Sequence, residues 1–217
     1  SAASDVYKRQ HNLPVYFGNR NWHPFANETA EQMSRDGIRK VAVFATSAWG
    51  GYSACRQYDE DIQRMREHLA QQGLPEIEFT KIRQFFDHPK FVAEMATAVT
   101  EVWEQVSADK KGTTRLLFTA HSVPVAHDNV GGAEGDKNLY SRQVAEAARL
   151  VALQAGISDY DLVWQSRSGN PRTPWLEPDI VDHTTEIHHN EGVDTVVVCP
   201  IGFILSLIHI SEPTRLG

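Results

Sequence analysis

Arg115-Leu-Leu-Phe-Thr-Ala-His-Ser-Val-Pro124 decides how this chain folds. Leu116, Leu117, Phe118 and Ala120 form a nearly continuous apolar run instead of an alternating one, the pattern of a strand covered on both faces. Pro124 has no backbone N–H and keeps that strand from running on inside a sheet. Outward from it, strand-like runs recur at Val41 to Ala45, Glu76 to Ile82, Asp161 to Gln165 and Asp194 to Cys199. Between them apolar residues take helical steps of three and four: Phe25, Thr29, Met33; Tyr58, Ile62, Met65, Leu69; Val92, Met95, Val99, Val102, Val106; Val144, Ala148, Val151. Gly37, Gly73 and Gly156 close helices, and Asp87 with Pro89 opens one. Alternating strand and helix predicts an α/β fold, a doubly wound, mostly parallel sheet flanked by helices.

The composition sets limits on function. A chain of 217 residues, 41% hydrophobic and 23% charged, is globular and long enough for a sizeable core. Its net charge of −7 works against nucleic acid and anionic membranes as partners. No stretch approaches the roughly 20 apolar residues of a transmembrane helix, and the opening residues lack a signal-peptide core, so the expected location is cytoplasmic. Two cysteines cannot build a disulfide framework. Phosphate-loop, GxGxxG, GxSxG and HExxH patterns are missing from the sequence, which removes nucleotide hydrolysis and serine-hydrolase chemistry.

Ligands of open α/β sheets bind beyond the carboxyl ends of the strands. Three segments therefore matter: Thr46 to Cys55, Ala120 to Pro124 and Ser166 to Trp175. His121 follows the apolar run directly, which places an imidazole at the expected crevice, although on spacing alone a structural histidine is as good a reading. Trp49, Tyr52, Trp164 and Trp175 lie on or beside these loops and would suit a flat aromatic ligand, with core packing as the plainer alternative. Tyr58 shares the stripe of Ile62, Met65 and Leu69, where packing is again the plainer reading. Arg20, Arg56, Arg167 and Arg172 could pair with ligand carboxylates or be solvated surface charge. His183, His188 and His189 lack metal-ligand spacing and read as a solvated helix flank; Cys199 ends a strand and reads as buried and inert.

Six segments in order resemble the ferrochelatase family, in its actinobacterial coproporphyrin III branch. They are Gly18-Asn-Arg-Asn-Trp-His-Pro24, Thr46-Ser-Ala-Trp-Gly-Gly-Tyr-Ser-Ala-Cys55, Phe118-Thr-Ala-His-Ser-Val-Pro124, Leu162-Val-Trp-Gln-Ser-Arg-Ser-Gly169, Pro174-Trp-Leu-Glu-Pro178 and Val198-Cys-Pro-Ile-Gly-Phe203. The resemblance implies a chelatase-like fold of two Rossmann-like lobes, the first incomplete, spanning residues 12–204. Residues 1–11 and 205–217 are expected to be a non-native lead and tail. It implies a lyase of heme biosynthesis that inserts its substrate ferrous iron into coproporphyrin III. Protoporphyrin IX is the alternative substrate, and a shorter chain that only holds porphyrin is the alternative to turnover.

In the residues, the resemblance implies that His121 is catalytic, as iron ligand or acceptor of pyrrole protons, and that Tyr58, Trp175, Phe203 and Arg20 bind porphyrin. Cys55 matches a cysteine that, with three more near the carboxyl terminus, holds a two-iron, two-sulfur cluster in many members; those three are absent here, so a cluster is expected only in an intact parent. The family's Asp-His-x-Glu segment after residue 204 finds no match in Leu205 to Gly217, and neither His209 nor Glu212 takes over its role.

Overall fold

The computed structural model describes residues 13–51, 56–132, 136–168, 170 and 172–203. The chain divides into two compact units, Ser1–Thr46 with Arg56–Arg83, and Ser47–Cys55 with Gln84–Gly217.

The first unit runs α1 (Ala26–Arg35), β1 (Lys40–Val43), α2 (Gln57–Gln71), β2 (Glu78–Lys81). Helix α1 starts where the Glu28 carboxylate accepts the Phe25 N–H at 2.9 Å, satisfying one of the free donors of a helix start. The two strands pair in parallel with Val41 opposite Phe79. Ala30 and Met33 of α1, Ile62, Met65 and Leu69 of α2, and Ile77 and Phe79 form the core of this unit. Of the residues at the expected helical steps, Met33 of α1 and Ile62, Met65 and Leu69 of α2 face this core, while Phe25, Thr29 and Tyr58 lie outside it. Strand β1 ends at Val43 instead of reaching Ala45, and β2 starts at Glu78 instead of Glu76.

The second unit holds α3 (Pro89–Gln105), a single 3₁₀ turn at Lys111–Thr113, β3 (Thr114–His121), α4 (Val125–Asp128), α5 (Leu139–Ala155), β4 (Tyr160–Gln165), α6 (Ile180–Glu191) and β5 (Thr195–Cys199). The strands lie in the order β4-β3-β5, all parallel. Leu116 and Phe118 on one face of β3, with their partners Val197 and Cys199 on β5, pack against α3 and α5 through Val92, Val99, Val144 and Val151. Leu117 points to the other face and joins Val163, Ile187 and Val193 under α6. The continuous apolar run of β3 therefore reflects burial from both sides, and Leu116, Leu117 and Phe118 have no exposed surface. Burying a Leu or Phe of this kind contributes about 1.5–3 kcal/mol each. The mostly parallel, doubly wound arrangement expected from sequence is present.

Local details depart from the sequence reading. His88, not Asp87, caps α3: its ring nitrogen accepts the Lys90 N–H, and Pro89 follows at the first helical position. The buried stripe of α3 stops at Val99, since Val102 is half exposed and Val106 lies just past the helix end. The single turn α4 gives no periodic signal and was not expected. Helix α5 ends on Gly156 at φ 70°, a left-handed conformation that costs glycine nothing.

Candidate active site

Strand order places the site in the second unit. The chain goes from β3 to β4 on one side, then crosses to β5 on the other, so the winding reverses between β3 and β5. In parallel sheets the crevice for a ligand opens beyond the carboxyl ends of the strands at such a reversal. His121 is the last residue of β3, opposite Gln165 of β4, and its side chain is exposed there while its neighbour Ala120 is fully buried.

The segment after β3 is held on both sides. The Ser122 N–H donates to the Gln165 carbonyl at 2.8 Å, and the buried Ser122 hydroxyl donates to the Leu176 carbonyl at 2.9 Å. Leu176 N–H donates to Val123 O at 3.0 Å and Val125 N–H to Pro174 O at 3.0 Å, so residues 123–125 and 174–176 form a short antiparallel bridge centred on Pro124 and Trp175. His121 and Trp175 are thereby brought to neighbouring backbones. Trp175 is half-buried, and among the described residues its buried indole N–H has no acceptor. An unpaired donor of this kind costs about 1–3 kcal/mol.

Phe203 arrives by a different route. After β5 the chain turns at Pro200-Ile-Gly, and the Gly202 N–H donates to the Thr119 carbonyl at 3.1 Å. A Cβ on Gly202 would stand 2.5 Å from the Ala120 Cβ and 2.7 Å from its Cα, so only glycine lets this turn lie against β3. The Trp49 indole N–H donates to the Gly202 carbonyl at 3.3 Å and fixes the turn from the other side. Phe203 then stands beside the imidazole, ring centroids 6.5 Å apart and tilted by 40°.

The imidazole itself is oriented by its own main chain. Its Nδ1 lies against the Ser122 carbonyl oxygen, which has only lone pairs to offer. Nδ1 therefore carries the proton of the neutral ring, and Nε2 presents a lone pair. A nitrogen so disposed can bind a metal ion or take up a proton. Among the described residues no group of three or more His, Cys, Asp or Glu could hold a metal.

The first unit carries the other two candidates. Arg20 donates to a single oxygen of Asp61 through Nε at 2.9 Å and Nη2 at 2.6 Å, and to the Gln57 Oε1 at 2.5 Å; the Asp61 contact raises its pKa. The Arg20 guanidinium lies 5.4 Å over the Tyr58 ring. Tyr58 is half-buried and stands outside the cluster of Ile62, Met65 and Leu69 whose spacing it shares. Asp61 also bonds Arg64, so two guanidiniums share one carboxylate. Arg20 is therefore a paired cation, although exposed to solvent. The structure brings His121, Trp175 and Phe203 together in one unit, and Arg20 and Tyr58 together in the other. Cys55 and Tyr52 lie outside the described residues, as do His209 and Glu212.

Several remaining candidates have structural roles. Trp49 and Trp164 are core residues. Cys199 is buried and its thiol is pushed up to about 12 by that burial, so it stays protonated and unreactive. His183 is not solvated: its Nε2 lies 3.0 Å from Asp161, and its side chain is 16% exposed. The reason is Arg115 at the start of β3, which gathers Asp159, Asp161 and Glu191 and ties α6 to the sheet. Burial works against the Arg115 charge, but hydrogen bonds to Asp161 and Glu191 outweigh it and hold the pKa above its ordinary value. His188 and His189 are exposed, as the sequence suggested.

Tyr140 is the residue at this site that sequence reasoning missed. It is half-buried, and its hydroxyl donates to the His121 main-chain carbonyl at 2.9 Å. A signal existed: Tyr140 stands four residues before Val144 on the same buried stripe, and a buried tyrosine hydroxyl has to find a partner.

Comparison with known proteins identifies the family. The ferrochelatase family model matches residues 2–211. Coproporphyrin III ferrochelatase of Corynebacterium glutamicum is 56% identical over 200 residues, 92% of this chain and 54% of that protein. The protein of the same description from Corynebacterium diphtheriae is 58% identical over 199 residues, 88% of this chain and 53% of its own length. The one from Mycobacterium sp. strain KMS is 52% identical over 207 residues, 95% and 58% respectively. The chain thus spans about half the length of the curated relatives it matches.

Proposed function

This chain belongs to the ferrochelatase family, and from that premise we propose that its protein inserts ferrous iron into coproporphyrin III, releasing the two pyrrole protons. Iron and porphyrin are both substrates in this reaction. The choice of coproporphyrin over protoporphyrin IX is supported by the descriptions of relatives that are 52–58% identical. The observation that carries the catalytic reading is the His121 imidazole, exposed at the carboxyl end of the central strand with Nδ1 facing a carbonyl and Nε2 left with its lone pair.

The residues then divide the work. Nε2 of His121 either coordinates the incoming ferrous ion or accepts a pyrrole proton; a neutral imidazole is suited to both near pH 7. Phe203, held beside it by the Gly202 turn, and Trp175, on the segment bridged to Pro124, supply apolar surface for the macrocycle. Pressing on the macrocycle tips the pyrrole lone pairs out of the ring plane towards the metal, and binding energy elsewhere on the porphyrin supplies that strain. Tyr58 and Arg20 are proposed porphyrin-binding residues of the first unit. Arg20 already shares Asp61 with Arg64, so its offer to a porphyrin carboxylate is the net positive charge of the trio.

The residues present do not fit a two-iron, two-sulfur cluster. The chain holds two cysteines where four thiolates are needed, and Cys199 is buried and protonated. No step here runs through such a group. No helix among the described residues is long and apolar enough to cross a membrane.

A second reading, a porphyrin-holding chain without turnover, is favoured by one observation: among the described residues no carboxylate makes a hydrogen bond or ion pair with His121. Anaerobic mixing of the chain with ferrous iron and coproporphyrin III separates the two readings. Porphyrin fluorescence quenching together with the absorbance change of metallation, faster than with protoporphyrin IX, is the expected result. Quenching without metallation selects the second reading, and no quenching contradicts both.

A further inference from the structure

The peptide plane between His121 and Ser122 is gripped at both ends. Its N–H belongs to Ser122 and donates to the Gln165 carbonyl of β4 at 2.8 Å. Its C=O belongs to His121 and accepts the Tyr140 hydroxyl of α5 at 2.9 Å. One bond comes from the neighbouring strand and the other from a helix packed on the sheet. A peptide is rigid and nearly planar, so fixing both ends sets ψ of His121 and φ of Ser122. That φ is one of the two torsions, with ψ of Ser122, that place the Ser122 carbonyl against the imidazole Nδ1 it faces.

Tyr140 is itself placed without slack. Its ring sits 5.7 Å from the buried Trp164, tilted by 47°. The next residue, Ser141, is held by Asp128, whose buried carboxylate accepts the Ser141 N–H at 3.2 Å and its hydroxyl at 2.6 Å. The carbonyl of Asp128 accepts the N–H groups of Gly131 and Asn138, both at 3.1 Å, which ties the start of α5 to the end of α4. Burial raises the Tyr140 pKa, and the Asp128 carboxylate raises it further, so the hydroxyl remains a donor throughout the neutral range.

We propose that Tyr140 is a positioning residue for His121: through the 121–122 peptide it holds the Ser122 carbonyl against Nδ1 and so keeps the lone pair on Nε2. This rests on the reading of His121 as the catalytic imidazole. The hydroxyl carries the role, while the ring of Tyr140 packs the core as any aromatic would.

The test uses ¹⁵N-labelled protein and long-range ¹H–¹⁵N correlation spectra of the histidine rings at a pH where they are neutral. The His121 signal is identified by its loss in His121→Ala. Wild-type protein is expected to show Nδ1 protonated and Nε2 bare. In Tyr140→Phe, which keeps the ring and loses the hydroxyl, the His121 signals alone should move towards the opposite tautomer. Tyr140→Leu should behave as Tyr140→Phe does; if Tyr140→Leu does not fold, the phenylalanine variant decides. Coproporphyrin metallation by Tyr140→Phe should fall on the order of 10- to 100-fold in kcat with little change in the porphyrin KM. The same change made in His121→Ala should do nothing more. Unaltered His121 ring signals in Tyr140→Phe, or a loss that persists in the His121→Ala background, would overturn the proposal. A wild-type protein that does not metallate defeats the functional reading, while the ring spectra still decide the positioning role.

Discussion

Gly202 shows how much of the site rests on a single hydrogen atom. Its backbone lies against Ala120 more closely than any side chain permits, and that closeness is what brings Phe203 to the imidazole. The atoms a new Cβ would meet belong to a buried strand and cannot swing aside as the end of a flexible side chain would. Gly202→Ala is expected to cost about 1–3 kcal/mol, the usual range for overpacking. Urea unfolding measures it, and a midpoint unchanged from wild type would mean that the turn does not press on β3. The sequence shows a glycine between Ile201 and Phe203 as part of a motif; it cannot show that the reason is Ala120, which is 82 positions away in the chain.

At the scale of the element, β3 organises the second unit, because its two faces are covered by different helices. Phe118 belongs to the buried cluster that α3 and α5 cover on one side of the sheet, edge-on to Tyr160 at 5.5 Å between centroids. Phe118→Ala is expected to lose about 3–5 kcal/mol, the transfer free energy of the ring plus the cavity it leaves. Val198, on the edge strand of the same sheet and 45% exposed, should tolerate alanine to within about 0.5 kcal/mol. Chemical denaturation of both variants checks the contrast, and equal losses would contradict a core centred on β3. The elements most legible in sequence are those with strong periodicity: β3, α2, α3 and α5 all announce themselves by spacing. What periodicity cannot reach is the turn α4, too short to repeat, and the ends of β1 and β2, where apolar residues continue past the paired backbone. His183 is the opposite case, with spacing that suggested solvent and a partner, Asp161, supplied by another element.

At the scale of the whole molecule, motif order carries the family, and charge and composition only narrow the field. The site was partly legible: His121, Trp175 and Phe203 follow strands, where a ligand of an α/β sheet is expected, and the fold draws them together. Tyr140 was not read, because its role depends on a hydrogen bond to a main-chain carbonyl that no residue type announces. The direct measurement of the account is a comparison of wild type with His121→Ala for two quantities on the same preparations, coproporphyrin III binding by fluorescence quenching and anaerobic ferrous-iron insertion by absorbance. Wild type should do both, and the variant should bind porphyrin as wild type does while metallation falls by about 10²- to 10⁴-fold, the range for loss of a positioned acid or base. Insertion at the wild-type rate by His121→Ala would contradict the central claim.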